Sequence, residues 1–116
     1  MSQQNWLVFV GTYTEGREST GIYSYKFDAN TGSLQPTGGV TEVVNPSFLA
    51  LDPTNRCLYA IAEVDEFDGI PGGAVFAYSV EPSTGALSLI NHQSSVGTGP
   101  CHIVVEASGR YVLVAN

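Results

Sequence analysis

Two side chains of this 116-residue sequence are suited to acid–base chemistry near neutral pH. Histidine is the side chain type most used as a general base in this range, so His102 could take a proton from a water molecule. Glu63 could orient the imidazole, hold a hydroxyl group of a substrate, or act as the base itself. Five further residues could donate hydrogen bonds to substrate oxygens or, for the arginine, supply a positive charge: Tyr13, Asn45, Ser47, Asn116 and Arg17. The set is equipped for proton transfer and for binding the oxygens of a small molecule.

An internal repeat determines where these side chains lie in the fold. Residues 45–63 recur as residues 99–116, with Pro46 matching Pro100 (100 − 46 = 54), and residues 21–25 recur as residues 74–78 at an offset of 53. Each unit holds short apolar runs rich in β-branched and aromatic residues, separated by polar turns, which is typical of strands. A fixed period near fifty with about four strands per unit predicts the blades of a β-propeller.

We therefore predict an all-β fold, a β-propeller fragment of about two blades. Residues 1–43 form a partial blade, residues 44–96 a complete four-stranded blade, and residues 97–116 the first two strands of the next. A closed ring needs at least about four blades, so we expect the exposed blade faces to be covered by missing blades or by self-association. If the strands of a blade are lettered A to D from the channel outward, residues 45–63 and residues 99–116 each supply strands A and B. Further strands are predicted at 5–13, which is strand B of the first blade, and at 21–28, 33–40, 73–81 and 86–96.

The antiparallel arrangement of the two inner strands brings the candidate residues to one rim. The start of strand A and the end of strand B lie at the same end of a blade. Asn45, Ser47 and His102 fall at the starts of A strands, and Tyr13 and Glu63 at the ends of B strands. We predict a site at this mouth of the channel and an ordinary surface, including residues 52–55, at the opposite rim.

Composition and charge argue against several classes of partner. The formal charge of −7 disfavours binding to nucleic acid or to an anionic membrane. Residues 6–10 are the only apolar run near the N-terminus and no basic residue precedes them, so neither a signal peptide nor a membrane span is predicted. A cytoplasmic location is the expectation that follows.

The sequence predicts neither a disulfide nor a bound cofactor. Cys57 and Cys101 fall at opposite ends of a blade, and we expect them to be small core or near-core residues. There is no zinc spacing, phosphate-binding glycine motif or nucleophile elbow, so no metal is predicted. Residues 64–72 carry three carboxylates without the spacing of a calcium loop, and are interpreted as a solvated acidic loop.

Several strings of residues, taken together in order and spacing, resemble the amino-terminal third of the 6-phosphogluconolactonase-like lactonase family of seven-bladed propellers. They are Val-Gly-Thr-Tyr-Thr at 10–14, Gly-Ile-Tyr-Ser-Tyr at 21–25, Asn-Pro-Ser-Phe-Leu at 45–49, Tyr-Ala-Ile-Ala-Glu at 59–63, and Gly-Pro-Cys-His at 99–102. The resemblance implies a cytoplasmic sugar-lactone hydrolase, or a relative such as a carboxymuconate-lactonising enzyme. Lactone hydrolysis needs a base and oxyanion donors, so His102 and Glu63 become the predicted catalytic residues and the other five the substrate-binding set.

Alternative interpretations remain for the same residues. His102 could instead hydrogen-bond neighbouring blades, Glu63 could pair with a cation, and Asn116 could cap a strand. Ala62 stands where the family pattern commonly has asparagine, which would suit a non-catalytic binding scaffold or an inactive fragment. Only Arg17 among the four cations is expected near the mouth, so a phosphate group would need cations from other blades, or the lactone is unphosphorylated.

Overall fold

The computed structural model describes residues 5–116, and these fold entirely as strands and loops. No helix is present among them, and therefore none that is long and apolar enough to cross a membrane. The predicted all-β class is confirmed. The strands are β1 (Asn5–Val10), β2 (Ile22–Asp28), β3 (Ser33–Val40), β4 (Leu49–Leu51), β5 (Cys57–Ala62), β6 (Glu66–Phe67), β7 (Ile70–Pro71), β8 (Ala74–Val80), β9 (Leu87–Ser94), β10 (His102–Val105) and β11 (Val112–Ala115).

The sheets follow the order expected of successive propeller blades. One four-stranded antiparallel sheet has the order β4-β5-β8-β9, preceded by a three-stranded sheet β1-β2-β3 and followed by the pair β10-β11. The register keeps the repeat: Tyr25 pairs with Pro36 in the first sheet, and Tyr78 pairs with Leu89 in the second, both partners shifted by 53 residues. Residues 5–116 therefore contain one complete blade and two partial ones.

The core lies between the first two sheets. Side chains of β8 alternate between the two faces, so Ala74, Phe76, Tyr78 and Val80 are buried while Ser79 is exposed. They pack with residues of the first sheet, among them Ile22, in one cluster. This contact between blades supplies much of the apolar burial of the fold, and the fully buried Ile61 and Ile103 lie outside this cluster.

Polar turns connect the strands, and their charged residues accept hydrogen bonds from the backbone. The predicted glycine of the outer hairpins is confirmed: Gly32 and Gly85 have φ of 77° and 76°. At the rim predicted to be ordinary surface, Asp52 accepts the amides of Arg56 at 2.8 Å and Cys57 at 2.9 Å. The residues of this turn are therefore structural acceptors as well as surface.

Two segments differ from the prediction. Strand β1 ends at Val10 and not at Tyr13, because the amides of Thr14 and Glu15 donate to the side chain of Asn45 and not to a neighbouring strand. Gly11 packs closely on Pro46, and a Cβ at Gly11 would lie 2.0 Å from the Pro46 carbonyl oxygen. The predicted acidic loop 64–72 contains the hairpin β6–β7, whose turn residues Asp68 and Gly69 have φ of 53° and 75°. Positive φ at both positions is the pattern of a type I′ turn.

The two cysteines are free thiols, as predicted. Cys57 is half-buried at the start of β5, whereas Cys101 is exposed just before β10. The expectation of a core or near-core position is wrong for Cys101. Its exposure follows from its place at the rim, where strand A of the third unit begins and the thiol faces the carbonyl of Ala115 at 3.8 Å.

Candidate functional site

Three successive units contribute residues to one rim of the structure. Residues 11–15 follow β1, residues 45–48 precede β4, Glu63 follows β5, and His102 opens β10. Hydrogen bonds connect the first three of these segments, and ring contact connects the third unit to the second. The antiparallel geometry predicted from the repeat explains this convergence, since each segment flanks the same end of strand A or strand B.

The carboxylate of Glu63 is the centre of a small hydrogen-bonded cluster with Tyr13 and Ser47, which we call the Glu63 group. Its Oε2 atom accepts the phenol of Tyr13 at 2.9 Å and the hydroxyl of Ser47. The two donors come from loops next to different sheets, Tyr13 after β1 and Ser47 before β4, and Glu63 is half-buried. This arrangement fixes the carboxylate at the rim, and the described residues place no hydrogen-bond donor on its second oxygen.

The Tyr13 phenol is held in its protonated form. The hydrogen bond to Glu63 raises the pKa of Tyr13, with smaller contributions in the same direction from desolvation and from the charge of the carboxylate. The ring is about half exposed, at 48%. At neutral pH Tyr13 is consequently a hydrogen-bond donor and not a base.

The side chain of Asn45 connects two of the segments that form the site. It is buried with 6% exposure and has a left-handed backbone with φ of 48°. Its Oδ1 accepts the amides of Thr14 at 2.8 Å and Glu15 at 3.0 Å, and its Nδ2 donates to the Glu63 carbonyl at 3.2 Å. The Asn45 carboxamide therefore joins the loop after β1 to the segment after β5, and a direct contact with substrate stays a prediction for this residue.

His102 packs against Phe48 of the neighbouring blade. The two ring centroids are 4.4 Å apart with an interplanar angle of 58°. Both rings are partly exposed at the rim. Since Phe48 directly follows Ser47, the same short segment contacts Glu63 through one side chain and His102 through the next.

The two remaining predicted residues lie farther along the rim. Asn116 donates through Nδ2 to the carbonyl of Ser95 at 3.1 Å and packs on Gly97, where an added Cβ would lie 2.6 Å from the Asn116 Cγ. Arg17 is exposed in the loop after Thr14, whose carbonyl accepts its amide at 3.2 Å. Neither side chain hydrogen-bonds to the Glu63 group within residues 5–116.

The electrostatic character of this sector is acidic. An open groove beside the Glu63 group is lined by Glu15, Glu63, Val64, Asp65, Glu66 and Gly99. Within the described part of the chain, no group of three or more His, Cys, Asp and Glu side chains is placed to hold a metal ion. The groove favours polar, neutral or cationic groups over anions.

Sequence reasoning missed Phe48 as a member of the site. A signal was present, because Phe48 and His102 occupy equivalent positions of successive repeats (102 − 48 = 54). Equivalent positions on adjacent A strands are neighbours around the channel mouth, which brings two ring side chains there close to each other. The departure at Ala62 also gains an explanation, since this residue is fully buried in the core.

Comparison with known proteins gives one family match and close structural similarity. The family model described as lactonase, 7-bladed beta-propeller, matches residues 7–116. The chain is 35% identical over 111 residues to 6-phosphogluconolactonase of Bacillus subtilis, which covers 96% of this chain and 30% of that protein. It is 33% identical over 109 residues to 6-phosphogluconolactonase of Formosa agariphila, covering 94% and 30%.

A solved structure agrees with these sequence matches. The periplasmic gluconolactonase of Pseudomonas aeruginosa superposes with a TM-score of 0.85 at 33% identity, covering 97% of this chain and 31% of that one. The chain thus spans about 30% of the length of the curated relatives that it matches.

Proposed function

The chain belongs to the lactonase family of seven-bladed β-propellers, and from this premise we propose that it contributes part of the active site of a sugar-lactone hydrolase. The reaction adds water to the lactone carbonyl carbon, breaks the bond between that carbon and the ring oxygen, and yields the open hydroxy acid. The observation that carries the proposal is the Tyr13–Glu63–Ser47 group beside the Phe48–His102 ring pair at one rim.

The proposed general base is His102. Its imidazole takes a proton from the attacking water and returns one to the departing ring oxygen, so the reaction consumes no net base apart from ionisation of the acid product. General acid–base catalysis of this kind contributes roughly 10²–10⁴-fold in rate. The partial exposure of the ring at the rim supports this role, since a substrate in the mouth of the channel can reach it.

Glu63 is proposed to hold a hydroxyl group of the sugar. Tyr13 and Ser47 both donate to Oε2, so among the described residues the other carboxylate oxygen has no donor and is available to a sugar hydroxyl. A carboxylate oriented by two donors is a good acceptor for a sugar hydroxyl. Tyr13, Ser47, Asn116 and Arg17 complete the proposed substrate-binding set, and Asn45 supports it.

The experiment compares matched histidine variants in a seven-bladed protein that carries this sequence. Hydrolysis of glucono-δ-lactone and of 6-phosphogluconolactone is followed by proton release above the spontaneous rate. We expect His102→Gln to lower kcat by about a hundredfold or more and His92→Gln, on the outer strand β9, to leave it unchanged. Equal activity of the two variants would remove His102 from the mechanism. Glu63→Gln should chiefly raise KM if Glu63 binds a substrate hydroxyl.

A second candidate function is a non-catalytic binding scaffold, favoured by Ala62. This residue is fully buried, whereas Asn116 at the equivalent position (62 + 54 = 116) presents an amide at the rim. A scaffold would bind sugar lactones or acids without turning them over. Calorimetric binding by a protein that shows no hydrolysis above background would support this alternative.

We also propose the location and the assembly of the chain. Two free cysteines support a reducing cytoplasm, which fractionation of expressing cells would check. Apolar residues on the outward faces, including Leu51 at 41% and Leu113 at 55% exposure, support coverage by further blades or by a second copy. The blade boundaries at residues 43/44 and 96/97 belong to the same proposal. Light scattering of the isolated chain at a monomer mass would contradict the need for a covering partner.

A further inference from the structure

The contact between Phe48 and His102 crosses from one blade to the next. Phe48 directly precedes β4 in the four-stranded sheet, and His102 is the first residue of β10 in the following pair. With centroids 4.4 Å apart, the rings are in direct contact at the short end of the range that aromatic pairs adopt. A ring in such contact restricts the rotation of its neighbour about χ1 and χ2.

The backbone that carries Phe48 is fixed on both sides. The Phe48 carbonyl accepts the amide of Ile61 at 3.3 Å, and the amide of Ser47 donates to the Asn45 carbonyl at 2.7 Å. The Ser47 hydroxyl is bound to Glu63. Phe48 therefore projects its ring from a short segment tied to β5 and to the Glu63 carboxylate.

His102 has its backbone held in the β10–β11 ladder, opposite Ala115. Within residues 5–116, no hydrogen-bond donor or acceptor fixes either nitrogen of its imidazole. The ring of Phe48 is the aromatic contact that the described residues make with this imidazole. A general base needs a defined orientation, because proton transfer requires a nitrogen within hydrogen-bond reach of the water.

We propose that Phe48 is a positioning residue whose ring holds the His102 imidazole with one nitrogen facing the channel mouth. The inference rests on the proposed hydrolase function and adds a residue that acts through His102 and not on the substrate. Because Ser47 binds Glu63, the dipeptide 47–48 sets the spacing between the predicted base and the predicted acceptor of the sugar hydroxyl. Phe48 thereby couples the geometry of the two groups.

The test uses three variants of the seven-bladed protein that carries this sequence. Phe48→Leu removes the ring and keeps an apolar side chain, and Phe48→Tyr keeps the ring. Phe67→Leu is the matched control, because Phe67 makes a similar contact with His92 away from the mouth, with centroids 5.2 Å apart. We expect Phe48→Leu to lower kcat by about tenfold, since small misplacements of catalytic groups cost one to two orders of magnitude.

The remaining expectations separate positioning from simple packing. KM should stay within about twofold of the parent for Phe48→Leu, because Phe48 is not assigned to substrate binding; Phe48→Tyr should restore kcat. Phe67→Leu should leave both constants unchanged. Equal kcat values for Phe48→Leu and the parent, or equal losses from Phe48→Leu and Phe67→Leu, would overturn the proposal.

A spectroscopic measurement keeps this inference distinct from the proposed function. The ring of Phe48 imposes ring-current shifts on the carbon-bound protons of the His102 imidazole, and Phe48→Leu should abolish those shifts while Phe48→Tyr retains them. If His102→Gln proves fully active, the hydrolase role of His102 fails, yet the shifts still report whether Phe48 orients the imidazole. Unchanged His102 shifts in Phe48→Leu would refute the inference by themselves.

Discussion

Replacing Asn45 with alanine removes the side chain that joins the two loops beneath the Glu63 group. Its carboxamide accepts the amides of Thr14 and Glu15 and donates to the carbonyl of Glu63. These three partners are backbone groups, whose positions cannot adjust by rotation of a side chain; the carboxamide also contacts the Glu15 carboxylate at 3.2 Å. We expect the loop after β1 to detach and to take Tyr13 away from Glu63.

The magnitude follows from counting these contacts. Three backbone hydrogen bonds at about 1 kcal/mol each give about 3 kcal/mol. The left-handed backbone of Asn45, with φ of 48°, adds about 1 kcal/mol for alanine, because a Cβ is poorly tolerated there. A total of about 4 kcal/mol is a large part of the roughly 5–15 kcal/mol that stabilises a typical domain.

Two further substitutions separate these contributions. Asn45→Gly reproduces the second repeat, in which Gly99 occupies the equivalent position (45 + 54 = 99) with φ of 57°. It relieves the backbone cost and loses the hydrogen bonds, so its stability should lie between that of the parent and that of Asn45→Ala. Asn45→Asp keeps the acceptor but sets a negative charge beside the Glu15 carboxylate, which Nδ2 contacts at 3.2 Å. Added salt should partly rescue that variant.

The assay combines global and local measurements. Urea unfolding followed by circular dichroism gives the change in the free energy of unfolding, and amide hydrogen exchange at Thr14 and Glu15 reports the loop directly. We expect Asn45→Ala to lose protection at both amides. A loss of less than about 1 kcal/mol together with unchanged exchange at these amides would refute the assignment of Asn45 as the support of the site.

Two other expectations concern stability. Tyr78→Phe should stabilise the fold by about 1 kcal/mol in urea unfolding, because the Tyr78 hydroxyl is buried without a hydrogen-bond partner among residues 5–116 and burial raises its pKa. The half-buried Tyr25→Phe is the matched control, and a clearly less stable Tyr78→Phe would show that the hydroxyl is bound. Acid should also destabilise the turns: hydrogen bonds from Ser83 and Thr84 lower the pKa of Glu81, and those from Ser108 lower the pKa of Glu106. A carboxylate whose pKa is lowered in the folded state contributes stability above its unfolded pKa of about 4.3, and this stability is lost as the pH falls through the folded pKa. Glu81→Gln and Glu106→Gln should therefore flatten the stability profile below about pH 4.3. An unaltered acid limb would contradict this.

The periodic part of the structure could be predicted from the sequence. Matching Tyr25 with Tyr78 and Pro46 with Pro100 predicted offsets of 53 and 54, and the strand pairings keep both offsets. The convergence of Tyr13, Ser47 and Glu63 followed from strand direction alone. Periodicity and antiparallel pairing are properties of the chain order, which is why they are readable without coordinates.

The details that depend on distances between sheets could not be predicted. The contact of Phe48 with His102 requires the spacing of adjacent blades, which no residue pattern states. The role of Asn45 was partly readable, because Asn45 and Gly99 at one repeat position are the two residue types that best tolerate positive φ. The hairpin at residues 66–71 was not predicted, because the Asp68-Gly69 turn was interpreted as part of a solvated acidic loop.

Repetition of the fold and variation at its rim together explain how a symmetric scaffold acquires a specific site. Positions that serve the fold are alike in the two repeats: Pro46 and Pro100 are both fully buried, and Asp52 and Glu106 both accept backbone amides of their turns.

Positions at the mouth differ between repeats. Ser47 is matched by Cys101 and Phe48 by His102. Had Phe48 been a second histidine, the rim would present two equivalent bases and no ring to orient either. This difference between the units places an aromatic ring next to His102. We expect the double substitution Phe48→His and His102→Phe to move the predicted base to the neighbouring blade without altering the packing of the core.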